Sequence, residues 1–202
     1  MAFVISIGAN SALAQVKIDI SGVGTTQIPI AIASFPGEGD GLSSVSEVIR
    51  KDLERSGNFR LISGLAPSSE TANINLIEWR GKAVDAVVTG SVNKLANGKF
   101  DVRFRLSDTL KNAVIDAQSI VSSEADLRFT GHRIADIIFE KLSGEKGIFA
   151  TRIAFVSKAG NRYRLNVSDW DGENVQAALN SAEPIISPKW SRSEERRVGK
   201  EC

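Results

Sequence analysis

Apolar residues recur along this chain with two different periods, and the periods mark its elements. Gln15–Ile20 sets Val16, Ile18 and Ile20 against Lys17 and Asp19, the alternation of a half-buried strand, closed by Ser21-Gly22-Val23-Gly24. Pro29–Phe35 is nearly all apolar, as expected of a strand covered on both faces of an α/β sheet. A capping box, Ser44-Val45-Ser46-Glu47, then opens a helix. Val45, Val48, Ile49 and Leu53 share one face of it, Arg50, Lys51, Glu54 and Arg55 the other, and Gly57 supplies the stop. Asn58–Ser63 reads as a short strand. Ile74–Lys82 reads as a weaker helix, with Leu76, Ile77 and Trp79 available to the core.

Val84–Val92 is again a strand, and Asn97-Gly98 signals a type I′ hairpin turn. Phe100, Val102, Phe104 and Leu106 alternate with Asp101, Arg103 and Arg105, so the next strand has one wet face. Ala113–Val121 completes an antiparallel meander. Glu124–Leu142 forms a third helix, stopped by Gly144, with Ile134, Ile137, Ile138, Phe139 and Leu142 apolar. The order β-α-β-α-β-β-β-α predicts an α/β (α+β) domain with a mixed sheet and three helices. Beyond it, Thr151–Trp190 holds two alternating strands, an Asp171-Gly172 turn and a third, shorter strand.

The two ends differ from this pattern. Met1–Ile7 is mostly apolar and leads to Ala12-Leu13-Ala14, the form of a signal-peptide core with a cleavage site; a first β-strand is the alternative. No Lys or Arg precedes Gln15, so the signal-peptide reading implies a start upstream of Met1 and an exported chain beginning at Gln15. Residues 192–202 are densely charged and resemble read-through of a sequencing adapter, and they are set apart from the fold. They contain the only cysteine, Cys202, so the remainder has no disulfide or thiolate chemistry.

Composition narrows the function. The chain has 202 residues, 42% hydrophobic and 24% charged, which suffices for one domain with a core plus a further piece. A net charge of +1 gives no basic surplus for nucleic acid, and no apolar run approaches the ~18 residues of a membrane span. The glycines of Pro36–Gly41 lie between a strand and a helix, but the loop carries Glu38 and Asp40 and no lysine, which opposes phosphate binding. His132 is the sole histidine and is read as a surface or interhelix residue; with no partner ligands, no zinc site is expected. Asp169-x-Asp171-Gly172 lacks the remaining ligand spacing of a calcium loop and is read as a hairpin turn. Arg103 and Arg105 could bind an anion or form a solvated face. No catalytic, cofactor-binding or metal-binding residues are expected, and the chain reads as a non-enzymatic interaction protein.

Three stretches carry a family resemblance: Gly144–Lys158 (GEKGIFATRIAFVSK), Tyr163–Gln176 (YRLNVSDWDGENVQ) and Pro184–Ser191 (PIISPKWS). Together they resemble the TolB family of the Tol–Pal system of Gram-negative bacteria. The upstream segments LERSGNFRLIS, DAVVTGSV and FTGHRIADIIFEKLSG agree in order and spacing. Arg192 stands where the family's blade motif has proline, and its Asp-Gly turn is missing. The resemblance implies a domain at 15–146, an incomplete first β-propeller blade at 147–191, and periplasmic location. It implies a scaffold for outer-membrane constriction at division. TolA would contact the segment Val16, Lys17, Ile18, Asp19 and Ile20, and Pal would contact a propeller face mostly absent here. The propeller part of a peptidase-like enzyme and an unrelated exported α/β module are the competing readings.

Overall fold

A computed structural model describes residues 27–39 and 44–190. The signal-peptide core, the Val16–Ile20 strand and the charged tail lie outside the described residues. The elements are β1 (Ile28–Ile32), α1 (Val45–Arg55), β2 (Phe59–Leu61), α2 (Leu76–Gly81), β3 (Ala86–Lys94), β4 (Phe100–Asp108), β5 (Ala113–Ser122), α3 (Leu127–Ser143), β6 (Arg152–Ala159), β7 (Arg162–Asp169) and β8 (Gln176–Ser181). β1 pairs in parallel with β2 and β3, and β3, β4 and β5 pair antiparallel, giving a mixed sheet in the order β2-β1-β3-β4-β5. A second sheet, β6-β7-β8, is antiparallel throughout.

Period-two alternation divides the first sheet between two cores. Ile30 and Ile32 of β1, with Ala86 and Val88 of β3, face the large core built with α1 and α3. Ala31 and Val87, one residue out of phase, face a smaller core with Trp79 and Val84. Both faces of β1 are therefore covered, as its unbroken apolar run predicts. On α1 the expected apolar face is buried, and Ser44 caps the helix by accepting from the Glu47 N–H at 3.4 Å. Glu38 accepts from the Phe35 and Ser46 N–H groups, both at 2.9 Å. The glycine loop thus brings its own carboxylate to the helix start, where a phosphate loop would receive an anion.

Three expectations change. The second helix covers only Leu76–Gly81, and Ile77 is 69% exposed, because six residues present one narrow face and Trp79 occupies it. The β3–β4 turn is not type I′. Gly98 alone takes positive φ, +78°, and its N–H reaches Leu95 O at 3.0 Å, so the turn is a three-residue loop with glycine at the left-handed position. The third helix begins with a 3-10 turn at Glu124–Asp126 before α3 proper.

Candidate functional site: a buried polar junction

The meander leaves α3 beside α1, and three α3 residues at i, i+4 and i+8 point the same way: Arg128, His132 and Asp136. On α1, Asp52 and Arg55 are spaced i, i+3 and turn toward them. Asp52 and His132 are each 0% exposed. His132 Nδ1 lies 2.6 Å from Asp52 Oδ2. The other oxygen of Asp52 accepts the indole N–H of Trp170 at 2.9 Å. One carboxylate on α1 therefore holds both the last helix and the end of β7.

The turn after β7 fills the rest of the junction. Asp169 Oδ2 lies 3.9 Å from His132 Nε2 and 3.4 Å from Arg128 Nε. Asp171 accepts from Arg128 and lies 3.3 Å from Arg55. The sequence reading of a hairpin turn holds, since Gly172 N–H reaches Asp169 O at 3.0 Å with Gly172 at positive φ. The same turn aims both carboxylates inward. Burial pushes the Asp171 carboxyl up, but the Glu173 N–H, Arg128, His132 and Arg55 outweigh it and hold it below the usual value.

Asp136 secures the connection between α3 and β6. It accepts the N–H groups of Phe149 at 2.7 Å and Ala150 at 3.0 Å. Burial raises its carboxyl, helped by Asp52 and opposed by those two N–H donors and His132. Gly147 fits this turn for a steric reason, since a Cβ there would collide with the Asp136 carboxylate. An aromatic series continues from the core to the blade. Phe59, Phe139, Phe149 and Trp170 follow one another with centroid separations of 5.9, 5.5 and 5.1 Å.

His132, Asp169 and Asp171 each place one donor atom within 4.8 Å of the others. Two guanidinium groups already pair with those carboxylates, so the donor set is that of an ion-pair network. His132 is interhelical, one of the two expected positions. The sequence reading missed Asp52, which sits on the apolar face of α1 and was not assigned there. Its signal was available: an aspartate one position before Leu53 in a buried stripe requires a partner. Arg103 pairs with Asp101 at 2.8 Å, and Asp101 itself is buried, so the face of β4 read as wet is partly closed. Among the described residues, no helix is long and apolar enough to cross a membrane.

The molecule is thus an α/β domain joined through a largely buried polar network to a three-stranded antiparallel blade. Residues 16–115 match the TolB amino-terminal domain, and residues 139–198 match the TolB beta propeller domain. The chain is 52% identical to the Tol-Pal system protein TolB of Polaromonas naphthalenivorans over 184 residues, covering 91% of this chain and 43% of that protein. It is 50% identical to its counterpart in Bordetella avium over 182 residues, covering 88% and 41%. The crystal structure of TolB from Acinetobacter baumannii superposes with a TM-score of 0.69 at 31% identity, covering 82% of this chain and 42% of that one. The chain belongs to the TolB family. It spans less than half the length of the curated relatives it matches.

Proposed function

We propose that this chain serves as a non-enzymatic, periplasmic component of the Tol–Pal system, acting through protein–protein contacts that support outer-membrane integrity and constriction at division. The segment Val16, Lys17, Ile18, Asp19 and Ile20 engages TolA by strand pairing, for which its alternating pattern is suited. The propeller that begins at residues 147–191 engages Pal. The observation that carries the reading is the succession of TolB amino-terminal and propeller matches, in that order, along one chain. The non-enzymatic part is supported by burial: the only histidine of the sequence is fully enclosed, and its carboxylate neighbours serve packing and ion pairing.

The test is a pull-down of the full chain on an immobilised TolA C-terminal domain. The chain is expected to be retained, and a version lacking residues 15–20 is expected to be lost. Equal retention of the two contradicts the assignment of the segment.

A further inference from the structure

The two arginines of β4 have different fates. Arg103 is consumed by Asp101 at 2.8 Å and Glu70 at 3.9 Å. Arg105 makes no ion pair or side-chain hydrogen bond among the described residues. It is half-buried, opposite Thr89 of β3 and Ala117 of β5, on the face of the sheet that the helices α1 and α3 do not cover. There it lines a pocket of about 370 Å³. Thr89 and Ser107 lie on the floor of this pocket, Asn73 and Asn112 on its walls, and Val114 and Leu76 give it an apolar side.

The walls are anchored. The loop that carries Asn73 is tied to the sheet by Ser68 N–H to Ser34 O at 3.2 Å, by Gly90 N–H to Ser68 O at 3.1 Å, and by the Ser91 hydroxyl to Glu70 at 2.6 Å. The opposite wall is the β4–β5 turn, whose backbone N–H groups at Leu110 and Lys111 are held by Asp108 at 2.8 and 2.9 Å. The pocket is therefore preformed, at the small end of the ligand-site range.

We propose that this pocket binds a carboxylate that carries a small apolar group, of the kind a short peptide presents at its C-terminus. A half-buried guanidinium without a partner favours a planar oxyanion that it can grip with two parallel N–H groups. Neutral hydroxyl and amide groups around it can donate the remaining hydrogen bonds, and Val114 and Leu76 accommodate the apolar group. One cation matches one negative charge. Further along the face, two carboxylates, Asp101 and Glu70, share Arg103, and their surplus negative charge disfavours a phosphate dianion. This site goes beyond the Tol–Pal reading and uses none of the residues assigned to it.

The experiment is an amide-resolved NMR titration of the full chain with acetyl-alanyl-alanine, its C-terminal amide, and inorganic phosphate. Saturable shifts are expected at Thr89, Arg105, Ser107 and Asn112 with the free acid. Replacing the acid by the amide is expected to weaken binding about tenfold or more. Arg105→Gln should do the same while retaining the native circular dichroism spectrum. As a second variant, Val114→Glu places a negative charge on the rim and should also abolish binding. The proposal is overturned by equal binding of acid and amide, by tighter binding of phosphate, by Arg105→Gln binding unchanged, or by no saturable shift with any probe.

Discussion

Trp170, immediately after strand β7 of the blade, donates its indole N–H to Asp52 of α1 at 2.9 Å, joining residues 118 positions apart. Asp52 is simultaneously bound to His132, so a single buried carboxylate links α1, α3 and the blade. Removing Asp52 leaves the buried His132 ring nitrogen and the Trp170 indole N–H without the partner that holds both, at about 1–3 kcal/mol for each orphaned group. Asp52→Ala is therefore expected to lower the unfolding free energy of the full chain, measured by guanidinium denaturation, by an amount of that order. Asp52→Asn retains a neutral acceptor and should lose less. Equal, small effects of both would contradict the network.

Trp170→Phe separates the ring from its hydrogen bond. The phenyl ring can still pack on Phe149, whose centroid lies 5.1 Å from the indole, but Asp52 Oδ1 loses its donor. The expected cost is about 1–3 kcal/mol, measured by the same unfolding experiment. In the Asp52→Ala background the substitution should cost much less, since the acceptor is already gone.

Much of this was legible in the sequence, because the signals were periodic. The apolar run at β1, the capping box of α1 and the alternation of β4 each follow from burial on a fixed repeat, and burial is the strongest constraint on sequence. The junction was less legible. Asp52 is a polar residue at a core position, and only its partners, 80 and 118 residues away, explain it. Asp169 and Asp171 satisfy turn chemistry and ion pairing together, and the turn signal alone accounts for their residue types. The Asn97-Gly98 pair signals a type I′ turn, but only Gly98 takes positive φ. Pairing of β3 with β4 sets the loop length, and the dipeptide does not.

The opposed shifts at the junction give a pH dependence with a definite sign. Asp171 is held below 3.8, so the unfolded chain binds more protons between that lowered value and 3.8. Its stabilisation is complete above 3.8 and is lost as pH falls through the folded-state value. Asp136 is raised above 3.8, so its contribution falls as pH rises from 3.8 through its folded value. Asp171→Asn should flatten the acid limb of the stability profile below 3.8, while Asp136→Asn should flatten the decline above it. An unchanged acid limb in Asp171→Asn would contradict a carboxyl held below its usual value by the Glu173 N–H and the surrounding cations.

Gly147→Ala tests the connection into β6. The new methyl would collide with the Asp136 carboxylate, and overpacking of this kind costs about 1–3 kcal/mol. Asp136→Ala removes the carboxylate but leaves its Cα 2.8 Å from the new methyl, so it should relieve only part of the cost, and the two changes are partly non-additive in thermal unfolding. Additive losses would contradict the contact.

Limited proteolysis should divide the blade. β6 and β8 are largely exposed, and Val175, Leu179 and Ile186 lie open to solvent, whereas Asn166, Ser168 and Asp169 near the junction are buried. First cuts are expected within residues 172–190, with residues 27–39 and 44–171 surviving longer. First cuts within β7 would contradict the anchoring.

The central claim is that the α/β domain and the start of the blade open as one unit. Hydrogen exchange of the Trp170 indole N–H, compared with the backbone N–H groups of Ile134 and Ile138 in α3, tests it most directly. The structure predicts that all three exchange with the same opening free energy and the same denaturant dependence. A Trp170 indole that exchanges orders of magnitude faster, while Ile134 and Ile138 remain protected, would contradict it.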